Sequence, residues 1–339
     1  MVIIESYPVA VALCVITMLC WGSWANTQKL ASKEWKFQLF YWDYAIGTLI
    51  FALVLAFTMG SIGEHGRSFT EDLMQASNSS ITSALIGGIL FNVANILLVA
   101  AIDIAGMSVA FPVGIGLALV IGVVSNYFAA PIGNIKFLFM GVASVTAAIL
   151  LAALSYKKMT TKSQVTGKGL VLSIVAGILI GFFYKFVVDS ISPGYINSTD
   201  LYNLAEGKLS PYTAIVVFSV GLFVSNFVLN TIAMYKPFSG TPVTYKDYLT
   251  QGSLKLHLIG VLGGSIWCLG MGLSIIASGA AGPSISYGLG QGATLVAAIW
   301  GVFIWKEFKG APPVVTKYLT MMFIFYVLGL TLIILSRNL

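Results

Sequence analysis

The chain contains 339 residues, 58% of them apolar and only 9% charged, with a mean hydropathy of +0.92. A soluble domain carries about a quarter charged residues, so these figures exclude one, along with a disordered chain, a collagen-like repeat and a disulfide-stapled scaffold. The net charge of +6 comes from basic residues scattered in short gaps between apolar runs, which marks membrane anchors and argues against nucleic acid as a partner.

A helix crosses the roughly 30 Å hydrocarbon core with about 20 apolar residues. Ten stretches reach that length, at approximately 6–28, 37–60, 82–102, 106–129, 135–155, 167–188, 212–235, 256–277, 282–305 and 315–336. The first does not read as a cleavable signal, because Glu5 precedes it in place of basic residues and no small-residue cleavage site follows Cys20. The gaps around 103–106 and 278–282 are short enough to predict tight helical hairpins. Three hydrophilic stretches, 61–81, 189–211 and 236–255, are too small to form a soluble domain.

Basic residues cluster on alternate connections. Lys29, Lys33, Lys36, Lys157, Lys158, Lys162, Lys168, Lys236, Lys246, Lys255, Lys306, Lys309 and Lys317 fall on one side, against Arg67, Lys136, Lys208 and Arg337 on the other. The expectation is a multi-pass protein of the plasma (inner) membrane, with the Lys-rich loops cytoplasmic and both termini outside.

The two halves echo each other. LCVITMLCWGSWANTQK in the first segment aligns with LSIVAGILIGFFYKFVV in the sixth, matching Gly22 with Gly181 and Trp24 with Phe183. Segments 4 and 9 each follow a tight turn and carry Gly114–Gly116 and Gly288–Gly290. Five spans is an odd number, so the second copy enters the membrane inverted. The predicted fold is therefore an all-α polytopic membrane protein of ten transmembrane helices in two inverted five-helix repeats, 1–160 and 161–339, forming one membrane domain. Secondary transporters have this architecture, with a binding site near the midplane between the repeats.

Several stretches resemble the drug/metabolite transporter superfamily over nearly the whole chain. GMSVAFPVGIGLALVIGVVSNYF, VGLFVSNFVLN and IGVLGGSIWCLGMGLS are similar to the L-rhamnose–proton symporter and glucose/ribose porter branches. The ESY opening at Glu5–Tyr7, FYWDYAIG at Phe40–Gly47 and AFTMGSIGE look more like ureide permeases. The resemblance implies an inverted-repeat carrier for a small, polar, mostly neutral metabolite, often coupled to protons.

Charges inside a span cost about 2.5–3.5 kcal/mol at a helix centre, so each is a functional candidate. Asp43, about two turns into segment 2, reads either as a protonatable coupling group or as an interfacial carboxylate within an aromatic belt. Lys185 reads as a solute ligand or as a snorkelling partner of Asp189 at i,i+4. Asn26, Asn92, Asn95, Asn226, Asn230 and Gln291 also lie in apolar segments. Asn92 with Asn95 and Asn226 with Asn230 share helix faces and either line a polar cavity or bond between helices. Trp24 and Trp267 offer stacking faces, and Tyr287 precedes the Gly288–Gly290–Gly292 run. Trp21, Trp300 and Trp305 read as lipid-interface or packing residues. Asn92, Asn226 and Trp267 are expected to converge on one chamber.

The three cysteines, Cys14, Cys20 and Cys268, lie within apolar segments, and the two histidines, His65 and His257, lie near segment ends. No metal-ligand spacing or phosphate loop is present, so no metal or cofactor is expected. An intramembrane enzyme would need a nucleophile–base or paired-carboxylate constellation within the helices, and the sequence places none. The leading expectation is a proton-coupled importer of a small neutral polar solute, a monosaccharide first. A ureide or nucleobase permease (allantoin or uracil type) is the runner-up. A drug exporter is disfavoured because no glutamate lies within a span, and another coupling cation stays open.

Overall fold

The structure is a computed structural model that describes residues 1–32, 34–159 and 167–338; Lys33 and Lys162 of the basic tally lie outside them. Among the described residues the chain is helical, with no strand beyond an isolated bridge between Ile191 and Leu209. The apolar helices are α1 (Tyr7–Ala31), α2 (Phe37–Phe57), α3 (Asn78–Ala105), α4 (Val113–Ala129), α5 (Ile135–Met159), α6 (Gly167–Ser190), α7 (Pro211–Tyr235), α8 (Leu254–Ala281), α9 (Pro283–Ile304) and α10 (Pro313–Leu335). Nine of them are long and apolar enough to cross a membrane, whereas α4 is shorter than the expected tenth span. Met107–Ala110 and a wide π-helical turn at Phe111–Ile115 lead into it. The chain is thus a polytopic helical membrane protein.

The predicted hairpins form. Gly106 and Gly282 are each the single residue separating two helices, at φ +77° and +87°. Only glycine takes that conformation without steric cost, which is how α3 turns into the next helix and α8 into α9 within one residue.

Two ends of the bundle are distinguishable. At one, Lys29 pairs with Glu307 at 2.6 Å, the Lys36 ammonium reaches the Thr241 carbonyl at 3.3 Å, and Ser239 donates to Asp103 at 3.2 Å. At the other, the amino terminus donates to the His65 carbonyl at 2.6 Å and Tyr7 to the Ile334 carbonyl at 2.6 Å. That termini end is capped by Asp72, which is fully buried and accepts from Arg67 at 2.9 Å and from the Ser210 amide at 2.7 Å.

Side chains such as Leu19, Phe57, Met140, Val228 and Leu328 point outward, as a lipid-facing surface requires. Lipid tails are as apolar as leucine, so helices associate through close packing instead of hydrophobic burial. Glycines supply it. A Cβ on Gly88 of α3 would fall 2.0 Å from the Phe218 carbonyl oxygen of α7, and one on Gly264 of α8 would fall 1.9 Å from that of Tyr44 in α2. The main pairings are α3 with α6 and α7, α8 with α1 and α2, α4 with α6, α9 with α1, α2 with α7, and α5 with α10.

Candidate functional site

Two of the cavity-forming helices depart locally from regular α geometry while staying right-handed helical: α1 at Trp24, and α9 at Gln291–Gly292, where the Gly292 amide bonds the Leu289 carbonyl at 2.8 Å in a tightened turn. Gly22 lets α1 approach α9, since a Cβ there would meet the Ala293 carbonyl at 2.5 Å. Beside these two places lies a cavity of about 230 Å³, walled by α1, α3, α6, α8 and α9 with Ile115 from the π-helical turn. Its lining runs from the middle of the bundle toward the Lys-rich end, from Phe183 and Trp267 to Gln28 and Ile102.

Aromatic rings form its inner wall. Phe91 stacks on Trp267 with centroids 4.2 Å apart, and Trp21 on the other side of Trp267 lies at 6.0 Å, 14° from parallel. Trp24 packs on Tyr44 at 5.0 Å, and Phe183 on Phe91 at 5.1 Å. The polar groups on the wall are Gln28, Asn95, Gln291 and Thr294, and no lining residue is charged. Asn95 donates to the Tyr41 hydroxyl at 3.3 Å, and Thr294 to the Gln291 carbonyl at 2.9 Å. An apolar, aromatic pocket with a few fixed amides suits a flat neutral molecule that stacks on indole and hydrogen-bonds at its edge.

Toward the termini end the bundle is shut. The Tyr184 hydroxyl bonds Ser274 at 3.0 Å, and Ser274 in turn bonds Ser286 at 3.1 Å, all three buried. Tyr287 donates to the Ala118 and Ile180 carbonyls, both at 3.1 Å, tying α9 to α4 and α6.

The predicted residues therefore separate. Trp24, Asn95, Trp267 and Gln291 meet at the cavity. Trp21, expected to be an interfacial or packing residue, also lines it, its indole N–H held by the Trp267 carbonyl at 3.2 Å. The remaining amides serve helix contacts. Asn26 accepts from Trp305 at 2.6 Å, Asn92 donates to Ser225 at 2.8 Å and to the Leu222 carbonyl at 3.2 Å, and Asn230 donates to the Gln38 carbonyl at 2.8 Å. Asn226 is fully buried with neither amide atom partnered. The expected convergence of Asn92 and Asn226 with Trp267 does not occur: neither amide lines the cavity that Trp267 lines, and Asn92 is bonded to α7. Lys185 is exposed and pairs with Asp189, so it is a surface ion pair, and Tyr287 is a buried packing residue.

Asp43 does not line the cavity. It is 2% exposed, accepts from Trp35 Nε1 at 3.2 Å and from Tyr248 at 2.6 Å, and is hydrogen-bonded to His257 Nδ1 at 2.9 Å. Tyr248 belongs to the short surface helix Tyr245–Gln251, whose Thr244–Asp247 capping box fixes its start. Burial and the bond to Asp43 push the Tyr248 hydroxyl well above the usual phenol range. Sequence reading passed over Trp35, Tyr248 and His257, as well as Gln28, Phe91 and Thr294. The one available signal was a histidine beside an apolar segment.

The family profile described as Ureide permease matches residues 40–165 and 156–336. Ureide permease 1 of Arabidopsis thaliana is 26% identical over 100% of this chain and 99% of its own length. Ureide permease 2 of the same plant is 27% identical over 91% of this chain and 92% of its own, and the probable ureide permease A3 of Vigna unguiculata is 25% identical over 91% and 97%. A solved crystal structure at 13% identity superposes with a TM-score of 0.58 over 98% of this chain and 99% of that one, a likeness of fold alone. These relatives favour the runner-up expectation over the monosaccharide carrier, which finds no support among them. The chain belongs to the ureide permease family.

Proposed function

We propose that this protein is a secondary carrier that moves a small, neutral, ureide-type solute across the membrane by alternating access, with the cavity beside Trp267 and Gln291 as its binding site. The observation that carries the reading is the uncharged, aromatic-walled cavity at the tightened turn in α9. A cyclic ureide is planar and rich in amide donors and acceptors. It packs on Trp24 at the cavity whose inner end Trp267 closes, while Asn95, Gln28 and Gln291 meet its edge. A sugar would offer hydroxyls around its whole perimeter, and four polar side chains in a greasy wall leave most of those unmet.

In this reading α4 completes ten crossings, and residues 1–160 and 161–339 are two oppositely oriented five-helix halves. The packing supports it, since exchanging each helix with the one five places along preserves the pairs: α3–α6 becomes α8–α1, and α3–α7 becomes α8–α2. The Gly88–Phe218 and Gly264–Tyr44 approaches are related in the same way. The basic connections assign the Lys-rich end to the cytoplasm and both termini to the outside of the plasma membrane. The cavity then belongs to a state reached from the cytoplasm. The coupling ion is the proton, with Asp43 as its carrier.

Purified protein in proteoliposomes tests this. Labelled allantoin accumulates under an inward proton gradient, and unlabelled uracil or allantoin competes while glucose and rhamnose do not. Competition by the sugars, with none by allantoin, returns the assignment to a sugar carrier.

A further inference from the structure

The Asp43 pocket is built with unusual care for a group outside the cavity. Gly260 of α8 clears space for it, because a Cβ there would lie 2.4 Å from the Asp43 Cβ. Gly252 does the same for its partner, since a Cβ at that position would lie 2.2 Å from His257 Nε2. Trp35, Tyr248 and His257 form a ring cage, with Trp35 and His257 edge to face at 5.2 Å and Tyr248 and His257 at 4.9 Å. The cage joins four parts of the chain at the Lys-rich end: the turn after α1, α2, the surface helix Tyr245–Gln251 and α8.

The donor set defines the proton inventory. An indole N–H only donates, so Asp43 Oδ2 is held as an acceptor by Trp35. Oδ1 accepts from Tyr248 and shares a hydrogen with His257 Nδ1, which the ring donates when Asp43 is ionised and the carboxyl donates when it is protonated. An ionised carboxylate buried in a span is costly, and the pair becomes neutral when it holds one further proton, shared between the Asp43 carboxyl and the His257 ring. Among the described residues, the other charges on the packed elements do not serve. Glu34, Lys36, Lys246 and Lys255 are exposed, and Asp247 is committed to the Thr244 cap and to Gln251.

We propose that Asp43 and His257 form one proton-binding site that discharges to water at the Lys-rich end, and that its occupancy keeps the surface helix Tyr245–Gln251 docked on α2 and α8. The inference rests on the carrier reading for its functional meaning. The proton leaves from His257 Nε2, whose side chain is 28% exposed beside the bare Gly252 backbone. Its loss strands the Asp43 charge among Trp35, Tyr248 and α8. Water must then enter, and the surface helix and the turn holding Trp35 let go. Because the Trp35 amide bonds the carbonyl of Ala31, the last residue of α1, at 2.9 Å, and α1 walls the cavity, discharge at this site is tied to movement of a cavity helix.

Two measurements test it on the full-length protein. The first is amide hydrogen exchange of residues 245–253 in detergent, corrected for intrinsic rates. Protection falls as pH rises, by about tenfold or more in exchange rate, and His257→Gln abolishes the transition. A flat wild-type profile, or a His257→Gln profile that keeps the transition, overturns the proposal. The second is labelled allantoin in proteoliposomes, where His257→Gln brings gradient-driven accumulation close to equilibration while solute exchange falls far less. Wild-type accumulation in that variant overturns the proposal. Should His257→Gln not fold, Gly252→Ala, which crowds Nε2, takes its place, and an unshifted transition in that variant counts against the site. Should wild-type protein move no allantoin, the ureide assignment fails while the exchange measurement still decides the proton site.

Discussion

Phe91 of α3 and Trp267 of α8 stack with ring centroids 4.2 Å apart at the inner wall of the cavity. Each also touches a ring from the helix its own helix packs against: Phe218 of α7 lies 5.9 Å from Phe91, and Tyr44 of α2 lies 6.3 Å from Trp267. The contact is therefore at once a joint between helices and the closed inner end of the cavity.

Trp267→Ala removes the indole from that end. The expected loss is about 1 kcal/mol or more of solute affinity, close to a tenfold rise in Kd for allantoin by isothermal titration. Trp267→Phe should recover much of it. Unaltered affinity in the alanine variant would make Trp267 a packing residue only.

Gln291 stands at the tightened turn in α9 with its side chain on the cavity wall. Gln291→Leu keeps the volume and removes the amide, so it should raise the KM for uptake by about tenfold with little change in thermal stability, given 1–3 kcal/mol for an unmet buried polar group. Thermal unfolding and initial uptake rates measured together separate a ligand from a structural role.

Gly88 and Gly264 meet neighbouring carbonyls where no side chain fits, whereas a Cβ on Gly116 would have nothing within 4 Å. Gly88→Val and Gly264→Val should each lower stability by about 1–3 kcal/mol. Gly116→Ala should leave the detergent melting temperature nearly unchanged.

Arg67 is the cationic partner of Asp72, a carboxylate with no solvent exposure in the cap at the termini end. Arg67→Ala leaves that charge buried without a cation, and a loss of about 3 kcal/mol is expected. Lys185→Ala breaks only an exposed pair with Asp189 and should cost no more than about 1 kcal/mol, with normal allantoin uptake.

Much of this architecture is written locally. Hydropathy and length mark the membrane segments because one helix must satisfy its own backbone in lipid, and Gly106 and Gly282 announce their hairpins because a one-residue turn at positive φ needs glycine. The expense of a carboxylate within a span singles out Asp43 without any structure. Helical periodicity correctly puts Asn92 and Asn95 near one another, yet Asn92 turns to Ser225 of α7 while Asn95 reaches the cavity. In helices that are apolar all round, no polar stripe tells a lipid face from a neighbour's face, so which amide meets solute depends on which helix comes to lie beside it. The partnership of Asp43 with His257 spans 214 positions of the chain, and only the packing of α8 against α2 brings the two together.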